Sequence, residues 1–191
     1  MRAVIQRVSS ASVTVDSNVI SSISQGLMCL VGIGDDDTEK DSDYIVNKIL
    51  NLKVFDDPAS GAMWKKSVKD IQGEILCVSQ FTLMAKTIKG AKPDFHKASH
   101  GNLEPSRRRL AHQTQTGELS RPFYASLLES MGRAYDPSRI KDGEFGAMMS
   151  VSLMNEGPVT LTIDSRKFEY TEPSVKKKPD ASTPGTSTPG N

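Results

Sequence analysis

Apolar, β-branched and aromatic residues dominate residues 75–85, ILCVSQFTLMA, and this composition predicts a strand. Ser79, Gln80 and Thr82 interrupt the apolar run. On a period of two, Gln80 and Thr82 share one face of the strand, and Ser79 lies on the other. Polar groups in a central strand are either hydrogen-bonded locally within the sheet or used for function. The pattern alone leaves both interpretations open.

The residues before this stretch predict several short strands and one helix. Close spacing and polar turns predict an antiparallel meander, and its strand candidates are residues 2–8, 11–16, 19–23 and 27–33. Apolar residues at helical spacing predict a helix over residues 39–52, with Asp37 or Thr38 as its N-cap. Residues 53–55 are a further short strand candidate.

The second half of the chain predicts a helix, two closing strands and two irregular segments. Ser120 is the expected N-cap of a helix over residues 122–135. The closing strands are expected at residues 148–154 and 158–164. Residues 98–121 are polar and irregular, which indicates an inserted loop. The composition then predicts one domain over residues 1–165 and a disordered tail rich in Pro, Ser, Thr and Lys over residues 166–191.

Composition and charge exclude several broad classes. The formal net charge is +1, so no global basic surface indicates a nucleic-acid partner. Cys29 and Cys77 lie in apolar strand-like runs, which is typical of buried reduced thiols rather than a disulfide scaffold. The N-terminal residues do not resemble a signal peptide, and no apolar run is long enough to span a membrane. We therefore expect a cytoplasmic protein with no membrane association.

Candidate chemistry from the residues alone is sparse. Lys86, Lys89 and Lys92 lie in a loop without acidic residues directly after the polar strand, and Lys97 follows, so this loop is either a phosphate contact or a solvated surface. His96 and His100 have the spacing of a helical metal pair, but no further convincing ligand accompanies them, and we expect no metal. A Ser79-based hydrolytic triad lacks the usual G-x-S-x-G turn.

Two motifs, SQFTL and NEGPVT at residues 155–160, together resemble the D-aminoacyl-tRNA deacylases, first described as D-tyrosyl-tRNA deacylases. The opening MRAVIQRVSSASVTV, the ILNLKVF run, KGAKPDF and KDGEFG are also similar to that family. The resemblance covers about residues 1–97 and 122–165. The inserted loop and the tail depart from it.

The resemblance implies an α+β fold with antiparallel, barrel-like sheets and a few helices, assembled as a homodimer. It implies a cytoplasmic proofreading hydrolase without a cofactor, which cleaves the ester between a D-amino acid and the 3′-terminal adenosine of tRNA. In that family the Gly-Pro bond is cis and reaches into the partner's active site. Carried to this chain, Gly157 and Pro158 would present backbone carbonyls beside the chiral carbon. The physics of an X–Pro bond alone favours trans.

The resemblance also assigns the remaining site residues. The catalytic side consists of Ser79, Gln80, Phe81 and Thr82, and the residues supporting the Gly-Pro segment are Asn155, Val159, Thr160 and Arg7. Thr82 is the family's candidate nucleophile, but no base lies beside it in sequence. We therefore expect water to attack with help from the 2′-OH of the tRNA, with Thr82 positioning the substrate. Lys86, Lys89 and Lys92 are the candidate tRNA contacts.

Fixed backbone atoms can reject one hand of a substrate whatever its side chain. Glycyl-tRNA, which has no chirality, should then escape full rejection. Two alternatives remain open from the sequence. One is a non-enzymatic nucleic-acid-binding protein that uses the Lys loop, Arg107–Arg109 and Lys176–Lys178. The other is a relative with a trans Gly-Pro bond that deacylates mischarged L-alanyl-tRNA.

Overall fold

The computed structural model describes residues 1–88, 90–98 and 120–167. Within these residues, six strands form one sheet and two α-helices pack against it. The strands are β1 Arg2–Val15, β2 Asn18–Ile23, β3 Gly26–Gly32, β4 Glu74–Ser79, β5 Ile140–Asp142 and β6 Ser150–Asp164. The helices are α1 Glu39–Asn51 and α2 Ser120–Ala134, and two short 3₁₀ helices cover Phe81–Met84 and Pro137–Arg139.

The sheet is mixed, with β1 at its centre. The strand order is β2-β1-β3-β4-β5, and β6 pairs with β1 along most of its length. The ladders that β1 forms with β2, β3 and β6 are antiparallel, whereas β3–β4 and β4–β5 are parallel. The predicted α+β class with a barrel-like sheet is confirmed, and the sheet is mixed rather than antiparallel throughout.

Strand β1 is one strand of 14 residues rather than the two that we predicted. Its first half pairs with β3 and its second half with β2, while β6 follows both halves on the other edge. The polar break at Ser9 and Ser10 marks a shift of register between β1 and β6, not a turn. The predicted strand at residues 53–55 is reduced to a single bridge between Phe55 and Lys66.

Two hydrophobic clusters fill the two faces of the sheet. The larger one lies between the sheet and the helices and includes Ile45, Ile49 and Leu127. The smaller one lies on the opposite face of the sheet and includes Val8, Val13, Ile23, Met28, Leu76 and Val78. Cys29 and Cys77 are buried free thiols, as predicted, and they lie opposite each other on the neighbouring strands β3 and β4. Their mutual hydrogen bond and burial raise the pKa of the Cys29 thiol.

Thr38 is the N-cap of α1, as predicted. Its N–H and its hydroxyl both donate to the Asp41 carboxylate at 2.8 Å. Asp37 has another use: it accepts from the backbone N–H of Gly34 at 2.6 Å and from the Met1 ammonium at 2.5 Å. The start of the chain is therefore fixed to the loop that leads from β3 into α1.

The predicted inserted loop and disordered tail fall almost entirely on residues 99–119 and 168–191, which lie outside the described residues. The second helix is described from Ser120, two residues before its predicted start, so Ser120 lies in the helix and is not its N-cap as predicted. In the part of the chain that the structure describes, no helix is both long and apolar enough to cross a membrane.

Candidate functional site

The polar stretch after β4 forms a 3₁₀ turn, so the prediction of one strand over residues 75–85 is wrong beyond Ser79. Strand β4 ends there because its parallel partner β3 ends at Gly32, and Val31–Ser79 is the last pair of the ladder. Phe81–Met84 then forms a 3₁₀ helix, in which the Leu83 N–H donates a backbone hydrogen bond to the carbonyl of the preceding Gln80 at 3.2 Å. We call Ser79–Met84 the polar turn.

Three contacts fix the polar turn against the sheet. The Gln80 N–H donates to the Val31 carbonyl at 2.7 Å. Gly32 allows close approach, because a Cβ there would lie 2.9 Å from the Leu83 Cβ. The Arg2 guanidinium donates to the Leu83 carbonyl at 3.0 Å and to the Asp164 carboxylate of β6 at 2.8 Å. Arg2 therefore connects the polar turn to the end of β6, a role that its sequence position did not indicate.

The side chains of the polar turn are accessible. Ser79 and Gln80 are half-buried, Thr82 is exposed, and Phe81 has 57% of its surface exposed. The Gln80 amide donates to the Thr82 hydroxyl at 2.5 Å. Among the described residues that amide is the hydroxyl's hydrogen-bond partner, and an amide cannot serve as a general base.

A cavity of about 840 Å³ opens beside the polar turn. Ser79, Gln80 and Phe81 line it, whereas Thr82 does not. Its other walls come from the residue that follows β3, from β4 and the segment after it, from Ser120 of α2, from the segment between β5 and β6, and from β6 itself. They are Ile33, Val78, Phe95, Ala98, Ser120, Phe145, Gly146, Ala147, Met148, Met149 and Val151.

Aromatic rings form much of the apolar lining of the cavity. Phe81 and Phe95 meet edge to face with ring centroids 5.2 Å apart. Phe145 lies 5.6 Å from Tyr124, and the Arg121 guanidinium lies 5.2 Å from the centroid of the Phe145 ring. The sequence reasoning did not assign the wall formed by residues 145–149 to a site. The KDGEFG motif was the available signal, but nothing in its spacing indicated a cavity.

Gly157 and Pro158 lie on a bulge that β6 forms opposite Arg7. Gln6 pairs with Thr160 and Val8 with Asn155, so five residues of β6 span two residues of β1. We call Glu156–Val159 the crest. Gly157 and Pro158 are exposed, the bond between them is cis, and Gly157 has a φ of 110°.

Arg7 holds the base of the crest. Its Nε donates to the Glu156 carbonyl at 3.3 Å, and its Nη1 donates to the Val54 carbonyl at 2.7 Å. Asp56 lies 3.9 Å from the same guanidinium. Within the crest region, the Asn155 amide donates to the Val159 carbonyl at 3.4 Å and to the Thr160 hydroxyl at 3.3 Å. Asn155, Val159 and Thr160 are therefore linked to one another, and Arg7 is bonded to the crest through Glu156.

The chain does not bring its own crest and its own polar turn together. Arg7, below the crest, pairs with Leu27 of β3, whereas Ser79 pairs with Val31 of the same strand. That offset is about 13 Å along β3, and three strand spacings from β6 to β4 add about 14 Å across the sheet. The two predicted halves of the site are thus separated by about 19 Å on one subunit.

Two of the candidate tRNA contacts are described, and both are exposed. Two backbone hydrogen bonds, of 2.7 and 2.9 Å, link Lys86 to Asp94, and Lys92 lies in the loop that these bonds close. Lys97 pairs with Asp35 at 3.9 Å. Hydrogen bonds from the His96 N–H and ring hold the pKa of Asp94 below its usual value. Lys89, His100, Arg107–Arg109 and Lys176–Lys178 lie outside the described residues.

A family model described as D-Tyr-tRNA(Tyr) deacylase matches residues 4–164. The D-aminoacyl-tRNA deacylase of Dictyostelium discoideum is 48% identical over 167 residues, which cover 87% of this chain and 99% of the relative. The D-aminoacyl-tRNA deacylase of Saccharomyces cerevisiae is 48% identical over 165 residues, which cover 86% and 99%.

Solved structures agree with this relationship. One, named c-Myc DNA Unwinding Element Binding Protein, has a TM-score of 0.73 and 47% identity, and the match covers 86% of this chain and 98% of that chain. Another, described as a probable eukaryotic D-amino acid tRNA deacylase, has a TM-score of 0.65 at 18% identity over 85% and 98%, which supports the fold. The chain therefore belongs to the D-Tyr-tRNA(Tyr) deacylase family.

Proposed function

We propose that this chain hydrolyses the ester that joins a D-amino acid to the 3′-terminal adenosine of tRNA, and that it spares the L-ester. The observation that carries the proposal is the polar turn, which opens directly into a cavity with aromatic walls. The curated relatives named above carry the same activity in their names. Release of D-amino acids from tRNA is a proofreading step of translation, and we place it in the cytoplasm.

The cavity suits the terminal adenosine. Its volume of about 840 Å³ lies within the usual range for small-molecule sites. Phe81, Phe95 and Phe145 offer ring faces and edges to a purine, and Met148 and Met149 are adaptable neighbours. With the base in the cavity, the ester at the ribose comes to lie over the polar turn.

The backbone of the polar turn supplies the chemistry. Phe81 and Thr82 provide the first N–H groups of a helical turn, which have no partners within that turn and can bind the oxyanion of the tetrahedral intermediate. The attacking group is water, assisted by the 2′-OH of the tRNA. Thr82 positions the substrate through its bond with Gln80, and Ser79 completes the wall. No cofactor takes part.

Chirality is read by the crest of a second copy of the chain. One subunit keeps its crest about 19 Å from its polar turn, so a complete site needs a homodimer. Strand β6 supports this assembly, because within the described residues only β1 pairs with it and its outer edge stays free. A groove of about 660 Å³ lies between that strand and α1, bordered by Leu83 and Leu161, and offers the partner an apolar seat.

Gly157 and Pro158 reject the L-ester by occupying the position of its side chain, with Asn155, Val159, Thr160 and Arg7 fixing the crest. Glycyl-tRNA, which has no side chain, is then hydrolysed to some extent. Lys86, Lys89 and Lys92 contact the phosphate backbone near the 3′ end. Each such contact contributes to a salt-dependent affinity that is the same for every tRNA sequence.

The test is hydrolysis of D-tyrosyl-, L-tyrosyl- and glycyl-tRNA side by side by the purified protein, with its molar mass measured in solution. Rapid loss of the D-ester with the L-ester spared, by a protein of twice the chain mass, supports the proposal. Activity by a monomer would contradict the shared site.

A second candidate function is nucleic-acid binding without catalysis. The solved relative named c-Myc DNA Unwinding Element Binding Protein favours testing it. Under this alternative the protein binds tRNA or DNA, every ester survives, and Gly157→Ala leaves binding unchanged. Under the deacylase proposal, the same substitution changes the preference between the D- and L-esters.

A further inference from the structure

A second feature beside Arg7 has no role in the chemistry described so far. Residues 55–66 form a tight hairpin, which we call the Trp64 hairpin. Phe55 exchanges backbone hydrogen bonds with Lys65 and Lys66 at 3.0 Å, and Asp57 closes the tip with bonds of 2.9 and 2.7 Å. Trp64, the chain's single tryptophan, has a φ of 60° and keeps half of its surface exposed.

That conformation needs an explanation. A positive φ is an outlier for a bulky residue and costs about 1–3 kcal/mol, and such residues cluster at functional positions. Here the hairpin turns the indole outward, beside Met63, which is 68% exposed. Burial in the subunit core does not account for the strain.

The hairpin is attached to the crest through one side chain. The Arg7 guanidinium donates to the Val54 carbonyl at the base of the hairpin and to the Glu156 carbonyl at the base of the crest. Asp56 of the hairpin pairs with the same guanidinium and also accepts from the backbone N–H of Trp64 at 3.4 Å. The hairpin that carries the indole therefore stays linked to the crest wherever the crest is placed in an assembly.

The free charge on the hairpin is positive. Asp56 is engaged by Arg7, and Asp57 is engaged by Ser60 at 2.8 Å and by Lys66 at 3.8 Å. Lys65, next to the indole, is exposed and forms no ion pair with any described residue. An outward aromatic ring beside an unpaired cation is the usual combination for stacking on an unpaired nucleotide.

We infer that Trp64 is a stacking platform for an unpaired base of the tRNA 3′ end, upstream of the terminal adenosine, bound in the site that the adjacent crest completes. This inference rests on the proposed function and the shared site. Lys65 faces the phosphates of the same nucleotides. A second copy of the chain is a poorer occupant, because contact between two such hairpins would bring two Lys65 side chains together.

The single tryptophan makes a direct test possible. Fluorescence excited at a wavelength that tyrosine does not absorb reports only on Trp64 in the full chain. This signal is titrated with the ribotrinucleotide CCA and with adenosine 5′-monophosphate. Saturable quenching by CCA, but not by the mononucleotide, supports the inference. Fluorescence that ignores CCA and varies instead with protein concentration overturns it, because the indole then contacts another copy.

Kinetics give the second readout. The kinetic test compares kcat/KM on D-tyrosyl-tRNA with kcat/KM on the D-tyrosyl ester of adenosine. The ratio of the first value to the second should fall about tenfold in Trp64→Gly, as expected for loss of one stacked base. Trp64→Phe should keep most of the ratio. Glycine is used because it adopts the φ of this position without strain, so misfolding does not obscure the result. Val19→Ala, an exposed apolar change on β2 where that strand pairs with the end of β1, is the matched control.

The kinetic experiment distinguishes failure of this inference from failure of the proposed function. If the wild-type protein hydrolyses both esters and Trp64→Gly leaves their ratio unchanged, the inference is wrong and the proposed function stands. If the wild-type protein hydrolyses neither ester, the proposed function fails, and Trp64 is then no part of a deacylase site.

Discussion

Gly157 is the position where one added methyl group should have the largest effect on selectivity. Its φ of 110° is a conformation that residues with a Cβ rarely adopt. An alanine Cβ would also lie 2.9 Å from the Arg7 Nη2 and 3.0 Å from the Val159 Cγ2. Arg7 cannot move away without loss, because its side chain is only 11% exposed and its guanidinium donates to the Val54 carbonyl at 2.7 Å.

The expected magnitude follows from that geometry. Forcing the crest into a strained backbone costs about 1–3 kcal/mol, and the crest relieves this cost by moving away from its present position. If all of that energy is lost from discrimination, the ratio of D-ester to L-ester hydrolysis falls about 5- to 150-fold in Gly157→Ala. The same strain should lower the free energy of unfolding by no more than about 1–3 kcal/mol, because the crest is exposed and relieves part of the strain by moving.

The assay compares D-tyrosyl- and L-tyrosyl-tRNA under single-turnover conditions. Gly61→Ala is the matched control, because Gly61 also has a positive φ, of 69°, but no atom lies within 4 Å of an added Cβ there. It should cost stability and leave selectivity intact. If Gly157→Ala unfolds cooperatively and its ratio of D-ester to L-ester hydrolysis is unchanged, the assignment of chirality to the crest is refuted.

Three further predictions concern the polar turn and the start of the chain. Thr82→Ala should retain substantial hydrolysis of the D-ester, and complete loss in a folded, tRNA-binding variant would make Thr82 the nucleophile. Arg2→Ala should lower kcat about tenfold with little change in KM, because the Leu83 carbonyl loses a charged donor worth about 1.5–3 kcal/mol; an unchanged kcat would show that the polar turn holds its shape without Arg2. Burial raises the pKa of Asp41, but hydrogen bonds led by the Ser165 hydroxyl outweigh this and lower it from 3.8 to about 2. Asp41 therefore stabilises the fold above pH 4, and this stability is lost as the pH falls towards 2. Urea unfolding across that range should have a shallower pH dependence in Asp41→Asn, and an identical slope would rule out this contribution.

Local signals were sufficient for most elements of this fold. Helix α1 and its Thr38 cap follow from apolar spacing and from the competition between side-chain oxygens and the backbone at a helix start. The end of β4 could not be predicted from local sequence in the same way. Residues 80–84 have the composition of a strand, but a strand needs a neighbour, and whether β3 extends past Gly32 is not encoded in residues 80–84.

The candidate site, like the fold, could be predicted only in part from local sequence. Gly157 and Pro158 stand out because glycine and proline are unusual together inside a strand. The displacement of the crest depends on five residues of β6 facing two of β1, which is a property of two distant segments. Phe145 contributes to the cavity only because the chain returns beside Phe81 and Phe95 after α2. Neither arrangement has a signature within a short window of sequence.

The free edge of β6 has a consequence for how the protein is made. Among the described residues, one edge of this 15-residue strand has no partner and its Leu153 and Met154 are exposed, so the edge is a template for any extended segment that meets it. In the proposed homodimer, a newly synthesised subunit would carry this hazard until the second copy covers the strand. Substitutions that weaken assembly should therefore reduce the soluble yield in cells before they reduce the activity of the protein that remains.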